Sequence, residues 1–257
     1  MKQIIKKWYD TLKFPAECTN DFENLLASAE LTPCAIDEYK STGNFKKDLM
    51  MSLYFCDEAA EKAKKQGLPR DVLLETLSDI PTWTNAHYHE YNDIGLLEYG
   101  WITLGLNLYL HKLGRLEFMP SADKMEVHIP AGEPLICSDC LQSFKMSVEF
   151  FEKYYPNFEY ETYYTSTWLL DDTLAKFLNK DSNILQFAKL FKTSKKKESD
   201  AALRFVFGWN ATRDNLHTYK IQNGFMQKMY DYVMDGGKLY EVYGEIEKTD
   251  ITHGRLG

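Results

Sequence analysis

The chain has 257 residues, 44% hydrophobic and 26% charged, which suits one large or two small globular domains and excludes a disordered chain, a collagen-like chain or a coiled-coil rod. It carries 30 basic and 38 acidic residues, net −8, and residues 1–112 hold 12 basic against 17 acidic. Neither half is basic, so the electrostatic footprint of a nucleic-acid binder is missing. The uncharged stretch Tyr99–His111 is too short to span a membrane, and the N-terminus has no apolar core of a signal peptide. Five cysteines in no framework spacing then fit reduced thiols in a cytoplasmic protein without a membrane partner.

Residues 1–112 read as helical. Phe45 to Gln66 places Phe45, Leu49, Leu53, Cys56, Ala60 and Ala63 at three- and four-residue steps, with Asn44 as N-cap and Gly67 and Pro69 as stops. A second helix opens at Pro69 and breaks at Pro81. A third, 96–112, is apolar nearly all round, as a helix buried between two bodies would be. After Leu113 the texture changes. Leu113–Phe118 and Lys124–Ile129 alternate around Pro120-Ser121-Ala122-Asp123, a hairpin signal. Asp139–Tyr155 is an amphipathic helix with Asp139 and Gln142 as a capping box. Tyr160–Leu170 reads as a strand, 172–178 and 183–191 as short helices, 202–207 as a strand, 218–234 as a helix closed by Gly236-Gly237, and 239–246 as a last strand. The basic run Lys192–Lys197 reads as a solvated loop.

Cys137-Ser138-Asp139-Cys140 sits at a helix start, where the dipole lowers a thiol pKa. A lone CxxC lacks a second pair for zinc, and the flanks lack a thioredoxin-like setting, so incidental cysteines are preferred over a redox pair or a metal site. His87-Tyr88-His89-Glu90 lies in helical surroundings, where residues two apart diverge, so no metal site is assigned. The hairpin is more informative. Alternation buries Leu116, Phe118, Met125, Val127 and Ile129 and puts Arg115, Glu117, Glu126 and His128 on the other face. One register sets Glu117 against Glu126, which repel. Slipping by two sets Glu117 against His128, an acid–imidazole pair suited to hold a general base. The strand Tyr160–Trp168 carries hydroxyls and rings on both faces, as a strand bordering a cleft would.

Leu113-Gly114-Arg115-Leu116-Glu117-Phe118, then Val127-His128-Ile129-Pro130-Ala131-Gly132-Glu133-Pro134-Leu135, then Ser166-Thr167-Trp168-Leu169-Leu170-Asp171, then Asp181 to Phe187, together resemble a bacterial family of acyltransferases. Its members pair a helical N-terminal N-acyltransferase domain with a GNAT-like C-terminal domain. The resemblance implies an α+β fold: a helical domain over 1–112 and a mixed β-sheet domain with flanking helices over 113–257. It implies acyl-CoA or acetyl-CoA as co-substrate, no metal, and a small-molecule amine acceptor. A strand, a tight loop and a helix N-terminus would hold the pyrophosphate: Val127–Ile129, 130–138 and the helix from Asp139. Of the usual glycines only Gly132 is present, and Glu133 and Asp139 are acidic. His128, oriented by Glu117 or water, is the catalytic candidate. Arg115, Gly132, Tyr164, Ser166, Trp168 and Asn183 are the substrate- or cofactor-binding candidates, with Asn183 alternatively capping the helix it opens. A non-catalytic GNAT-derived module binding a sugar or peptide is the competing expectation, favoured by the atypical phosphate loop.

Overall fold

A computed structural model describes residues 1–255. Six helices come first: α1 (Lys2–Leu12), α2 (Thr19–Ser28), α3 (Phe45–Lys65), α4 (Arg70–Leu77), α5 (Asp79–Tyr91) and α6 (Tyr99–Leu106). α3 is the hub, burying Leu49, Leu53, Phe55, Cys56 and Ala59 against Ile5, Trp8 and Leu106. Its N-cap is Asn44, whose side chain accepts from Lys47 N at 3.1 Å, as the sequence predicts.

Three features of this half depart from the sequence reading. Pro81 does not end a helix; it lies in the first turn of α5, where a missing N–H breaks no helical bond. The helix expected over 96–112 spans only Tyr99–Leu106. The chain turns at Leu108, with φ at 61°, and residues 111–113 enter the sheet as a strand.

The sheet has the order β1-β2-β3-β4-β6-β5, formed by β1 (His111–Leu113), β2 (Leu116–Ser121), β3 (Lys124–His128), β4 (Thr162–Thr167), β5 (Lys192–Glu198) and β6 (Tyr240–Glu247). All neighbours are antiparallel except β3 and β4. Helices α7 (Cys137–Tyr154) and α8 (Asn183–Ala188) cover one face through Phe144, Val148, Phe151 and Phe187, which meet Phe118, Met125, Val127 and Tyr163. A smaller cluster joins α9 (Ala201–Val206) and α10 (Gly224–Met234) to Leu174, Phe177 and Leu239. A short α11 (Lys248–Thr252) follows β6.

The strand expected at 202–207 is therefore the helix α9, which is too short for periodicity to separate the two forms. The basic run expected to be a loop is β5, an edge strand whose residues are all exposed. Lysines along such an edge discourage pairing with another chain. Asp139 does not cap α7; that helix starts two residues earlier, at Cys137, after Ile136.

Candidate active site

The hairpin has the register in which Glu117 faces His128 and Phe118 faces Val127. Phe118, Met125 and Val127 point to α7 and are fully buried. Glu117, Glu126 and His128 point to the opposite face, joined by Tyr164 and Ser166 through the pairing of Glu126 with Tyr164. The parallel pairing of β3 with β4 covers Lys124–Glu126 against Thr162–Tyr164 and stops there, while both strands run on to His128 and Thr167. His128 and Ser166 thus sit at the open end of a splay.

Two elements of the helical half close over this end. Trp101 on α6 sets its ring edge-on to the His128 imidazole, centroids 4.6 Å apart. Its Nε1–H donates to Asp79 Oδ2 of α5 at 2.6 Å. The Asp79 carboxyl is in turn in hydrogen-bond contact with the Glu117 carboxyl, both nearly inaccessible to solvent. Burial, then the neighbouring Asp79, raise the Glu117 pKa far above the carboxylate range, while Lys112 and Arg115 pull it back only in part. Burial also raises Asp79, opposed by the Trp101 N–H. Two carboxyls this close cannot both ionise. The pair shares one proton, carried by Glu117, and an ionised Glu117 would leave its Oε1 buried without a partner.

The expected Glu117–His128 acid–imidazole pair is accordingly corrected. The two residues are cross-strand neighbours, but the carboxylate at His128 is Glu126, with Oε1 3.6 Å from Nε2. Glu126 Oε2 lies 2.8 Å from the Tyr164 hydroxyl, which lies 2.9 Å from Ser121 Oγ. His128 Nε2 is buried and has no hydrogen-bond partner. Burial lowers the His128 pKa below its ordinary value, and Glu126 offsets only part of that. The imidazole is neutral at pH 7, with a nitrogen available.

Arg115 organises the neighbouring loop. Its Nη1, Nη2 and Nε donate to the carbonyls of Pro130, Glu133 and Pro134 at 2.9, 2.6 and 3.1 Å. Its backbone N–H donates to Ser143 Oγ at 2.7 Å, docking the β1–β2 turn on α7. The turn's Gly114 has φ 71°, and a Cβ there would stand 2.8 Å from Ser143 Oγ. The guanidinium expected to touch a ligand is a brace for residues 130–134 instead. Gly132, at φ 108°, makes the bend of that loop. The loop delivers the chain to α7, whose N-terminus has no side-chain cap and leaves N–H groups free for an anion.

The other candidates are spread out. Trp168 is half-buried in a 3-10 turn after β4 and stacks on exposed Phe205 at 6.3 Å. Asn183 is exposed and does not cap α8; the cap is Ser182, whose Oγ accepts from Leu185 N at 3.3 Å. Cys140 is fully buried, with its thiol pushed up to about 11 chiefly by burial, and all five cysteines are free. His87 is a core side chain whose Nδ1 is 2.9 Å from Asp93 O. Among the described residues no three His, Cys, Asp or Glu side chains converge to hold a metal ion, and no helix is long and apolar enough to cross a membrane.

Sequence reasoning left Asp79, Trp101 and Glu126 without a role. Glu126 had a signal, the period of two that puts it beside His128. Asp79 and Trp101 reach the site from helices distant in sequence and had none.

A helical body seated on a mixed sheet, with one splayed parallel pair leading into a loop and an uncapped helix, is a GNAT-like architecture. The chain matches the GNAT-like C-terminal domain over residues 110–246 and the N-acyltransferase N-terminal domain over 17–108, and it belongs to this acyltransferase family. It is similar to a solved acyltransferase in complex with decanoyl-CoA and teicoplanin, at TM-score 0.81 and 19% identity over 94% of this chain and 87% of that one. It is also similar to a point mutant of an acyltransferase in complex with octanoyl-CoA, at TM-score 0.82 and 19% identity over 95% and 88% of the two chains. A third likeness is to an acyltransferase bound to decanoyl-CoA, at TM-score 0.76 and 21% identity over 94% and 86%. A search of curated proteins gives no match.

Proposed function

We propose that the protein is an acyl-CoA-dependent N-acyltransferase acting on a small amine acceptor. The observation that carries this reading is the unpartnered Nε2 of a neutral His128 at the open end of the β3–β4 splay, beside a braced loop and an uncapped helix N-terminus. The acyl-CoA complexes of the structural neighbours support an acyl-CoA donor of this kind. In this chain the pyrophosphate would lie on loop 130–136 and the N-terminus of α7, where backbone N–H groups and the helix dipole favour an anion. The backbone of Ser166 to Trp168, on the diverging edge of β4, would hold the thioester carbonyl. His128 would take the amine's proton, the amine would attack that carbonyl, and the C–S bond would break to release CoA. Tyr164 and Trp168 are assigned to the cleft walls, and Asn183, on the helix α8 that covers the opposite face of the sheet, is not. We also place the domain division just ahead of β1, which moves the 1–112 and 113–257 boundary of the sequence reading back by a few residues, and the protein in the cytoplasm.

A second reading, a GNAT-derived binding module without catalysis, is favoured by one feature. Glu133 and Asp139 are exposed at the anion-binding end, and the nearby Arg115 is committed to loop carbonyls. Calorimetric titration with acetyl-, octanoyl- and decanoyl-CoA decides between the two. Saturable binding displaced by CoA supports the enzyme, and no binding by folded protein favours the module.

A further inference from the structure

Lys112, Glu117 and His128 form one cross-strand row on the polar face, with Lys112 opposite Glu117 and Glu117 opposite His128. The helical half meets this row at two points. Trp101 of α6 stands edge-on to the His128 imidazole at 4.6 Å, and Asp79 of α5 meets the Glu117 carboxyl. The Trp101 Nε1–H, donating to Asp79 Oδ2 at 2.6 Å, joins the two points. Little else fixes the orientation of α6. It is eight residues long, has no side-chain cap, and lies between Glu98 and Leu108, whose φ angles are 53° and 61°. Among the described residues, the Trp101–Asp79 bond is the only side-chain hydrogen bond that ties α6 to another element.

Asp79 is 6% and Glu117 1% exposed. Two buried carboxyls in contact hold together through a proton between them and repel without it. Two cations stand near. Lys112 Nζ lies 3.4 Å from Ser78 Oγ and 3.8 Å from Glu75 Oε2, and Arg115 is committed to the loop carbonyls. Neither is ion-paired with Asp79 or Glu117, so neither replaces the proton. His128 Nε2 makes no hydrogen bond that would orient the imidazole, which leaves that task to packing.

We propose that Asp79 and Glu117 are positioning residues for His128: the proton they share docks α5 on β2, and Asp79 in turn holds Trp101 against the imidazole, fixing the ring's orientation and keeping water off it. The catalytic consequence rests on the N-acyltransferase reading. The pair itself touches no substrate. It acts across the join between the two halves, so the helical half sets the geometry of a group carried by the sheet.

The test has a substrate-free arm and a kinetic arm, both on the full chain. In the first, the six histidine imidazoles and five tryptophan indole N–H groups are followed by NMR, with His128→Gln and Trp101→Phe assigning the two signals. The Trp101 N–H should resonate far downfield, as a close donor to a carboxylate does, and return to the ordinary range in Asp79→Ala. The His128 titration, held below its ordinary value by burial, should then move to higher pH, because water reaches the ring while Glu126 stays beside it. Loss of a negative charge with Trp101 still in place would move it the other way. Trp101→Phe, which removes the N–H and keeps an aromatic ring, should move the titration in the same direction as Asp79→Ala and serves if that variant does not fold. Glu117→Ala should behave like Asp79→Ala. Glu117→Gln, whose amide donates to Asp79 as the shared proton does, should recover most of what Glu117→Ala loses.

In the second arm, thiol release from decanoyl-CoA with n-butylamine is measured at pH 8. Asp79→Ala should lower kcat by about 10–100-fold, the cost of a misplaced reacting group, with KM for the donor within about twofold. An unmoved His128 titration in folded Asp79→Ala or Trp101→Phe overturns the proposal, as does a Glu117→Gln variant that loses as much as Glu117→Ala. Moved titrations with unchanged turnover uphold the positioning and sink His128 as the base. Moved titrations in a protein that transfers no acyl group uphold it likewise and sink the enzyme reading.

Discussion

The two faces of the sheet each carry one histidine, fully buried on one face and largely covered on the other, and the two are opposites. His111, on the α7 face, is packed by Phe150, Phe151 and Tyr155, and its Nε2 lies 2.6 Å from the Tyr155 hydroxyl. Burial drives its pKa down to about 4. His128, on the polar face, is also pushed down by burial, yet Glu126 opposes the shift and Nε2 has no partner. Burial is common to both and does not separate a structural histidine from a working one. The difference lies in the free nitrogen and the carboxylate beside it. A satisfied imidazole is structure, whereas an unsatisfied one at the mouth of a splay has room for a proton from elsewhere.

The strongest way to break this comparison is His128→Ala. Turnover is expected to fall by about 10²–10⁴-fold, the usual contribution of a positioned base, with donor affinity and the melting temperature little changed. Because the imidazole pKa lies below 6.5, the acid limb of the wild-type kcat/KM profile should also fall below that pH. Kinetics over pH 5–9 beside thermal melts check this. Wild-type rates in a folded His128→Ala variant would return the hairpin to structure.

His111 should show the complementary behaviour. Its folded-state pKa of about 4 lies below the ordinary 6.5, so the unfolded chain binds the extra proton and stability falls as pH drops between those values. The loss reaches roughly 3 kcal/mol below pH 4, at about 1.4 kcal/mol per unit. Urea melts of wild type and His111→Gln from pH 7 to pH 4 isolate it: the variant should be less stable at pH 7 and show a shallower acid slope. Parallel slopes would mean that His111 is not the proton-linked group.

The contrast between the faces was partly legible in the sequence. Alternation along 113–129 assigned the faces, and repulsion between Glu117 and Glu126 selected the observed register, with Glu117 opposite His128. What alternation does not carry is the third dimension. Asp79 and Trp101 come from helices that local periodicity places nowhere near the hairpin, so the Glu117 proton and its partner were invisible. The mistaken helix end at Pro81 and the overlong helix to Lys112 have a similar origin. Proline is harmless in a first helical turn, and His111–Leu113 become a strand only because β2 lies beside them.

Glu117→Gln sharpens the comparison from the other side of the register. The Glu117 pKa is raised in the fold, so the folded state binds more protons than the unfolded one, and that stabilisation is lost as pH rises above the ordinary carboxyl range. A glutamine keeps the shape and a donor toward Asp79 without the titration. Melting temperature should therefore rise relative to wild type by a few degrees, with the gain growing as pH rises above the ordinary carboxyl range. A gain that shrinks with pH, or a His128-like loss of turnover, would show Glu117 to be an anionic partner of the base after all.

The smallest effect is expected at the cysteines, which extend the lesson of the apolar face to a second titratable group. Cys140 lies in the first turn of α7 on its buried side, and its thiol is pushed up to about 11 by burial with only partial relief from Arg115. The thiolate is the reactive form, so this sulfur is inert at pH 7 despite its place in the first turn of a helix. Cys137 is half-buried two residues from Asp139, whose carboxylate shares that helix end. Cys137→Ser with Cys140→Ala should leave donor affinity and turnover within twofold, and lower stability by about 1 kcal/mol for the lost sulfur contacts. Titrating wild-type protein with a thiol reagent should likewise modify Cys140 only on unfolding. Rapid modification of Cys140 in the native protein, or lost turnover in the folded double variant, would show that burial alone does not silence the groups on this face.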